Sequence, residues 1–288
     1  APAAPTPPAP RRRAPAGTPA WEVDRWVDRL TTTDRAETQR ALARMHAYRP
    51  LVFAATRKHG IPDELIYLAL IESSFRPAAT SGAGAAGVWQ FMPATAAGFG
   101  LEVGPYVDER RDPVRATDAA ARYLAALHRR FGSWHLAAAA YNAGEGRVRR
   151  ALRTLPRTSR DPAGEMPYWM VRHRLPAETR AYVPKLLAVA RIGRAPEAYG
   201  FSARAALDSA AADPLAFRLV SVPGDVSLAR VAATLALPAG ELRRLNPHLV
   251  RGRTPPGRRW AVRVPAATLL PGERPRAPHP PPASHSSP

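Results

Sequence analysis

Leu65-Ile66-Tyr67-Leu68-Ala69-Leu70-Ile71-Glu72-Ser73-Ser74-Phe75 runs seven apolar residues straight into a carboxylate and two hydroxyls. Pro62, Asp63 and Glu64 precede it. A proline suits the first helical turn, where the amide has no partner anyway. Acidic residues suit the positive end of the helix dipole. A helix that is apolar on every face is buried on every face, and Pro77 prevents it from continuing far. The stretch therefore reads as a central helix ending in a carboxylate.

The flanking sequence is also helical. Trp21, Val23, Trp26, Val27 and Leu30 recur at helical spacing, and Thr31-Thr32-Thr33-Asp34 reads as a break and cap. A second helix is expected over 35–58, ending at Gly60. Residues 78–87 (AATSGAGAAG) are small and Gly-rich, hence a loop, and a short helix starts near Pro93. Residues 108–113 (DERRDP) read as a charged loop. Ala119, Ala120, Tyr123, Leu124 and Leu127 mark an amphipathic helix running to Gly132. Ser133 caps the next, Trp134 to Asn142, and Gly144 ends it. Residues 153–175 read as irregular, 177–192 as helix and 201–214 as a linker. Character changes after that. Phe217 to Val222 alternates as a strand, Pro223-Gly224-Asp225 is a turn, two short helices follow, and Trp260 to Val264 alternates again.

Composition narrows the chemistry. The 288 residues contain 33 Pro, 19 Gly and no Cys. Disulfides, thiolate metal sites and cysteine nucleophiles are excluded. No apolar run reaches the ~18–20 residues of a membrane span. Residues 1–20 and 268–288 hold 14 of the prolines, so both ends read as disordered Pro-rich tails. The net charge is +19, of which the tails supply +4, residues 215–267 +7 and the remainder +8. Forty of the 42 basic residues are Arg, a bias in keeping with codon drift in a genome rich in G and C. The functional reading is attraction to an anionic cell-wall polymer or membrane surface. No nucleic-acid recognition motif accompanies the arginines, so nucleic acid is not an expected partner. The eight His show no metal-ligand spacing, and no Walker loop is present. Neither a metal nor a cofactor is expected.

Glu72 is the candidate for chemistry. Burial at the end of an apolar helix raises a carboxyl's pKa, and an acid still protonated near neutrality can protonate a leaving group. The Gly loop after it would let backbone approach a ligand. The plain alternative is a helix-end Glu paired with Arg76.

The wider pattern resolves that choice. Glu72-Ser73-Ser74-Phe75, then Ser81-Gly82-Ala83-Gly84-Ala85-Ala86-Gly87-Val88-Trp89-Gln90-Phe91-Met92-Pro93, then Ala140-Tyr141-Asn142-Ala143-Gly144, then Leu175 to Lys185 (LPAETRAYVPK) come in order. Together they resemble the soluble-lytic-transglycosylase catalytic domain of glycoside hydrolase family 23, most like its membrane-bound lytic murein transglycosylase D branch, over about residues 40–200. Val88 stands where that family usually has Leu. The resemblance implies a lysozyme-like, mainly α catalytic domain over 21–200 with Glu72 as the single acid/base. It implies that Ser73, Ser81, Gln90 and Met92 line the glycan cleft. It places Tyr141, Asn142 and Tyr182 around the carboxyl. Plainer readings exist: Gln90 as a loop-capping amide, Met92 as core filler, Tyr141 as a core aromatic, Asn142 as a helix cap.

Residues 215–267 resemble a LysM-like module, a small α+β unit ordered strand–helix–helix–strand. The match rests on Pro223-Gly224-Asp225, Leu228-x-x-Val231-Ala232, Leu242-x-x-Leu245-Asn246-Pro247 and Val262-x-Val264-Pro265, with Val226 replacing the usual Thr. Such a module either binds N-acetylglucosamine chains or only packs. The implied activity is a carbon–oxygen lyase that cuts peptidoglycan and leaves 1,6-anhydro ends. The implied partner is the glycan strand, the implied state a monomer, and the implied place the periplasm or cell envelope, with membrane association open. The alternatives are a goose-type-like lysozyme and a non-catalytic wall-binding protein.

Overall fold

Ile66–Ser73 forms α3, reached through a 3-10 turn over Asp63–Leu65. In the computed structural model, which describes residues 20–156, 165–202 and 215–270, Leu68 and Ala69 have no exposed surface. The expected tails, apart from Ala20 and residues 268–270, and most of the expected linker lie outside the described residues; Thr268, expected in a tail, is buried and its amide donates to the Pro265 carbonyl at 3.0 Å.

The chain divides into two compact units at Leu215 and Ala216. In the first, α1 (Ala20–Thr31) and α2 (Arg35–His59) precede α3. α4 (Pro93–Gly98), α5 (Pro113–Phe131), α6 (Trp134–Ala143), α7 (Glu145–Leu152), α8 (Met166–Val171) and α9 (Ala177–Arg194) follow. α3 packs on α2 and α9, α1 on α9, and α6 on α5, α7 and α9. Ala137, Ala138, Ala139 and Ala140 on α6 are fully buried. Methyl side chains let neighbouring helices approach closely, so α6 serves as a thin central slat.

The caps follow the local chemistry. The Asp112 carboxylate accepts from the amides of Val114 (2.9 Å) and Arg115 (3.2 Å), and Pro113 opens α5. Ser133 Oγ accepts from the Leu136 amide at 3.0 Å. Asp34 breaks the chain but caps nothing; its carboxylate pairs with Arg29 at 2.8 Å.

Two expectations are corrected. The 153–175 stretch, read as irregular, holds α8 and a 3-10 turn over Arg172–Arg174. Its Glu165 reaches the start of α6, accepting from the amides of Trp134 (3.0 Å) and His135 (2.8 Å). Its Tyr168 is fully buried and serves α9. Pro184 inside α9 has no amide for the Arg180 carbonyl, and the Tyr168 hydroxyl donates to that carbonyl at 3.3 Å. A proline-rich, arginine-rich string hides such a helix, because its partners lie far away in sequence. The second correction is 108–113: Asp108, Glu109, Arg110 and Asp112 are all buried.

In the second unit, β1 (Phe217–Val222) and β2 (Trp260–Pro265) pair antiparallel, from Phe217↔Pro265 to Val222↔Trp260. Between them lie α10 (Leu228–Thr234) and α11 (Ala239–Leu245), packed on each other, with α11 also against β2. Buried Asn246 accepts from the Arg263 amide at 2.9 Å and donates to its carbonyl at 2.8 Å, tying the long loop to β2. A Cβ on Gly224 would meet the Pro255 and Arg258 carbonyl oxygens at 2.7 and 2.8 Å, so the turn requires glycine. The alternation of β2 fails at Arg263, which is buried with its guanidinium 4.6 Å from the Phe217 ring. Among the described residues of the chain, no helix is long and apolar enough to cross a membrane.

Candidate active site

Glu72 lies in the last turn of α3, and its carboxyl faces α9. The Tyr182 hydroxyl donates to Glu72 Oε1 at 2.5 Å. Burial pushes the Glu72 carboxyl up to about 7. The Tyr182 bond opposes that rise, the negative charge of Glu178 adds to it, and the positive charge of Lys185 opposes it. The group thus sits near neutrality, where one carboxyl can both give and take a proton. Arg76 is not its partner; that guanidinium donates to the Ser73 carbonyl at 3.0 Å.

Replacing Tyr182 with Phe removes a hydrogen bond that favours the carboxylate. The Glu72 midpoint is then expected to rise above its present value by roughly one unit or more. Carboxyl infrared difference spectra across pH 5–9 read it; a midpoint at or below that of the unaltered protein would contradict this role.

α3 ends in a tight reversal. Ser74 (φ 53°) and Phe75 (φ 58°) both take left-handed backbone, and the Arg44 Nε donates to the Ser74 carbonyl at 2.6 Å. Two consecutive non-glycine residues in that region are costly and need such support. Ser73 corrects an expectation: it is 3% exposed and its hydroxyl donates to the Val88 carbonyl at 2.7 Å. Its place is beneath the Gly loop, clamping that loop to α3, and not in a glycan cleft.

The Gly loop is held from below as well. The Arg110 guanidinium donates to the carbonyls of Gly84 (2.7 Å) and Phe91 (3.0 Å) and to both carboxylate oxygens of Asp108 (2.8 and 2.9 Å). Arg111 donates to the Ala78 carbonyl and the Thr80 hydroxyl, both at 2.7 Å. Gly87 (φ +82°) lies so close that a Cβ would sit 1.7 Å from the Arg110 carbonyl oxygen. The loop is thus a braced platform, despite a composition that suggests freedom.

The remaining candidates have distinct placements. Ser81 is exposed, its Oγ accepting from the Ala85 amide at 3.0 Å. Gln90 (φ 48°) donates to the Gly87 carbonyl at 2.8 Å, which makes it a loop-capping amide. Met92 is 44% exposed, which removes it from the core. The Tyr141 hydroxyl donates to the Trp89 carbonyl at 2.6 Å, while the ring sits among Phe91 and Tyr123. Its own proton is held more tightly by burial and by the neighbouring Glu72 charge. Asn142 is no helix cap: its amide donates to Glu178 at 2.9 Å and its oxygen accepts from Thr179 at 2.7 Å. Among the described residues, no group of three or more His, Asp or Glu is arranged to hold a metal.

Four features escaped the residue-by-residue reading: Glu178, Lys185, the Asp108–Arg110 pair and Arg44. For the first two a signal exists, because 178, 182 and 185 share one face of a helix.

A raised carboxyl, a tyrosine hydroxyl upon it and a braced Gly loop meet on a helical scaffold. Residues 50–162 match the family model described as the transglycosylase SLT domain, and residues 216–269 the one described as the lytic transglycosylase MltD, LysM-like domain. The chain therefore carries a lytic-transglycosylase SLT domain followed by an MltD-type LysM-like domain. It is 35% identical over 204 residues to membrane-bound lytic murein transglycosylase D of Escherichia coli K12, covering 70% of this chain and 43% of that protein. It is 33% identical over 132 residues to membrane-bound lytic murein transglycosylase F of Desulfosudis oleivorans, covering 43% and 28%. The crystal structure of the 70 kDa soluble lytic transglycosylase of Escherichia coli is 28% identical, covers 54% of this chain and 26% of that one, and superposes with a TM-score of 0.44. The chain spans under half the length of the curated transglycosylase D it matches.

Proposed function

We propose that this protein is a lytic transglycosylase that cuts the β-1,4 bond between N-acetylmuramic acid and N-acetylglucosamine in peptidoglycan without consuming water. One observation carries the reading: the Glu72 carboxyl, whose proton affinity burial pushes up to about 7, receives the Tyr182 hydroxyl beside a braced, Gly-rich platform. Most glycosidases divide the work between two carboxylates on opposite faces of the sugar. Here one group serves twice. Protonated Glu72 gives its proton to the bridging oxygen as the C1–O4 bond breaks. The 2-acetamido group of the muramic acid supports the charge developing at C1. The Glu72 carboxylate then takes the proton of the same sugar's C6 hydroxyl, whose oxygen bonds to C1 and closes the 1,6-anhydro ring. Glu72 ends protonated, as it began.

Tyr182 holds the carboxyl in place during both transfers. Tyr141, with its hydroxyl committed to the Trp89 carbonyl, fixes the platform behind the reacting bond. Exposed Ser81 and Met92 are free to touch the glycan. The substrate lies outside the cytoplasmic membrane, so the protein works in the cell envelope. The LysM-like unit, which carries the densest positive charge, holds the wall.

Digestion of purified sacculi followed by mass spectrometry of the muropeptides tests this. Products lighter by one water than their reducing counterparts, the anhydro ends, are expected. Reducing ends would replace the proposal with a goose-type-like hydrolase, and no products at all with a wall-binding protein.

A further inference from the structure

Glu178, Tyr182 and Lys185 lie four and three residues apart on α9 and so form one stripe along that helix. Tyr182 sits in the middle, bonded to Glu72. The two ends of the stripe carry opposite charges, and each is fixed from outside α9. Glu178 is held by the Asn142 amide at 2.9 Å, at the end of α6. The Lys185 ammonium lies 5.6 Å from the centre of the Trp26 ring of α1. Neither has a part in the proton transfers described above.

We propose that Glu178 and Lys185 are a pair of opposed positioning charges that set the balance between the acid and the base forms of Glu72. The inference rests on the reading of Glu72 as an acid that becomes a base. A negative neighbour favours the protonated form needed to break the glycosidic bond. A positive neighbour favours the carboxylate needed to collect the C6 proton. Placing both on one rigid helix, either side of the hydroxyl that orients the carboxyl, keeps the two influences in fixed proportion. The directions of the forces on Glu72 agree: Glu178 raises its proton affinity and Lys185 lowers it. The proton affinity of Lys185 is in turn lowered by burial and raised by the charges of Asp34 and Glu72.

The other ionisable groups near Glu72 are otherwise engaged. Tyr141 of α6 is bonded to the Trp89 carbonyl, and its proton is held tightly by burial. Arg44 of α2 is paired with Glu37 at 2.8 Å and bonded to the Ser74 carbonyl. Asn142 also gains a purpose, because it anchors Glu178.

The test titrates Glu72 directly in the full chain. Carbon-13 carboxyl resonances of glutamate are followed by NMR, with the Glu72 signal assigned by its loss in Glu72→Gln. Glu178→Gln keeps an oxygen for Asn142 and removes only the charge. It is expected to lower the Glu72 midpoint by roughly half a unit or more. Lys185→Met keeps the stem against Trp26 and is expected to raise it by a similar step. The upper limb of the pH–rate profile on sacculi is expected to move in the same opposite directions. Midpoints that stay put in both variants, or shift the same way in both, would overturn the proposal. The titration needs no substrate. Loss of the lytic activity assignment would therefore leave this result standing, and unmoved midpoints in an active enzyme would sink this proposal alone.

Discussion

Glu72→Gln is expected to abolish muropeptide release while leaving sacculus binding intact, and to stabilise the protein at the same time. The amide fills the same space and can still accept the Tyr182 hydroxyl, but it cannot give or take the proton. General acid or base action contributes about 10²–10⁴-fold per role. Glu72 fills both roles, so the loss should reach the upper end, on the order of 10⁴-fold. The stability effect follows from linkage. The folded carboxyl binds its proton up to about 7 and a free glutamate only to 4.5. Between those values the native state holds more protons than the unfolded one, so the group's contribution is complete below pH 4.5 and is lost as pH rises through 7. Above pH 7 the ionised group costs up to about 3 kcal/mol, which the variant avoids. Melting curves at pH 4 and pH 8 read this directly. The variant should melt higher than the parent at pH 8 and close to it at pH 4. Residual lysis near the parent rate would end the assignment of Glu72, whatever the melting curves show.

Asp108→Ala carries the second large effect, and it acts through the platform. Asp108 and Arg110 have side chains 8% and 9% exposed and bond through both carboxylate oxygens. Removing one partner of a buried pair leaves a buried charge unmatched, at about 3–5 kcal/mol. For a domain of this size that is a fall in melting temperature of roughly 10 °C. The same guanidinium carries the Gly84 and Phe91 carbonyls, so glycan turnover should fall further than the loss of folded protein explains. Thermal melting and turnover at a temperature where both proteins are folded separate the two effects. A melting temperature within 2 °C of the parent would show that Arg110 is satisfied without Asp108.

These two residues mark the limits of reading the string. Glu72 was legible because a carboxylate directly after seven apolar residues has few places to go but a buried helix end. Tyr182 was legible only through its motif; nothing local distinguishes it from a core tyrosine. Asp108 and Arg110 looked like part of a solvated charged loop, since DERRDP is what exposed turns are made of. They are buried because they satisfy one another and the carbonyls of a loop some twenty residues earlier, a pairing that no local pattern contains. Ser73 was misplaced for the mirror reason. Beside the acid in sequence, it turns inward because α3 ends there and the next residues reverse with positive φ.

Helix periodicity, caps and turn residues are local properties, set within about two turns of chain. The sequence alone therefore determined the helical scaffold to Gly144, the strand–helix–helix–strand unit and the acid at the end of α3. Proton affinity and loop stiffness are properties of what surrounds a group, and here the surroundings come from distant segments. Tertiary structure alone brought the Tyr182 hydroxyl onto Glu72, packed Arg110 beneath the Gly loop and placed Tyr168 at the carbonyl that Pro184 leaves unpaired. Burial and field depend on three-dimensional neighbours, so only the folded chain could make an ordinary glutamate an acid near neutrality.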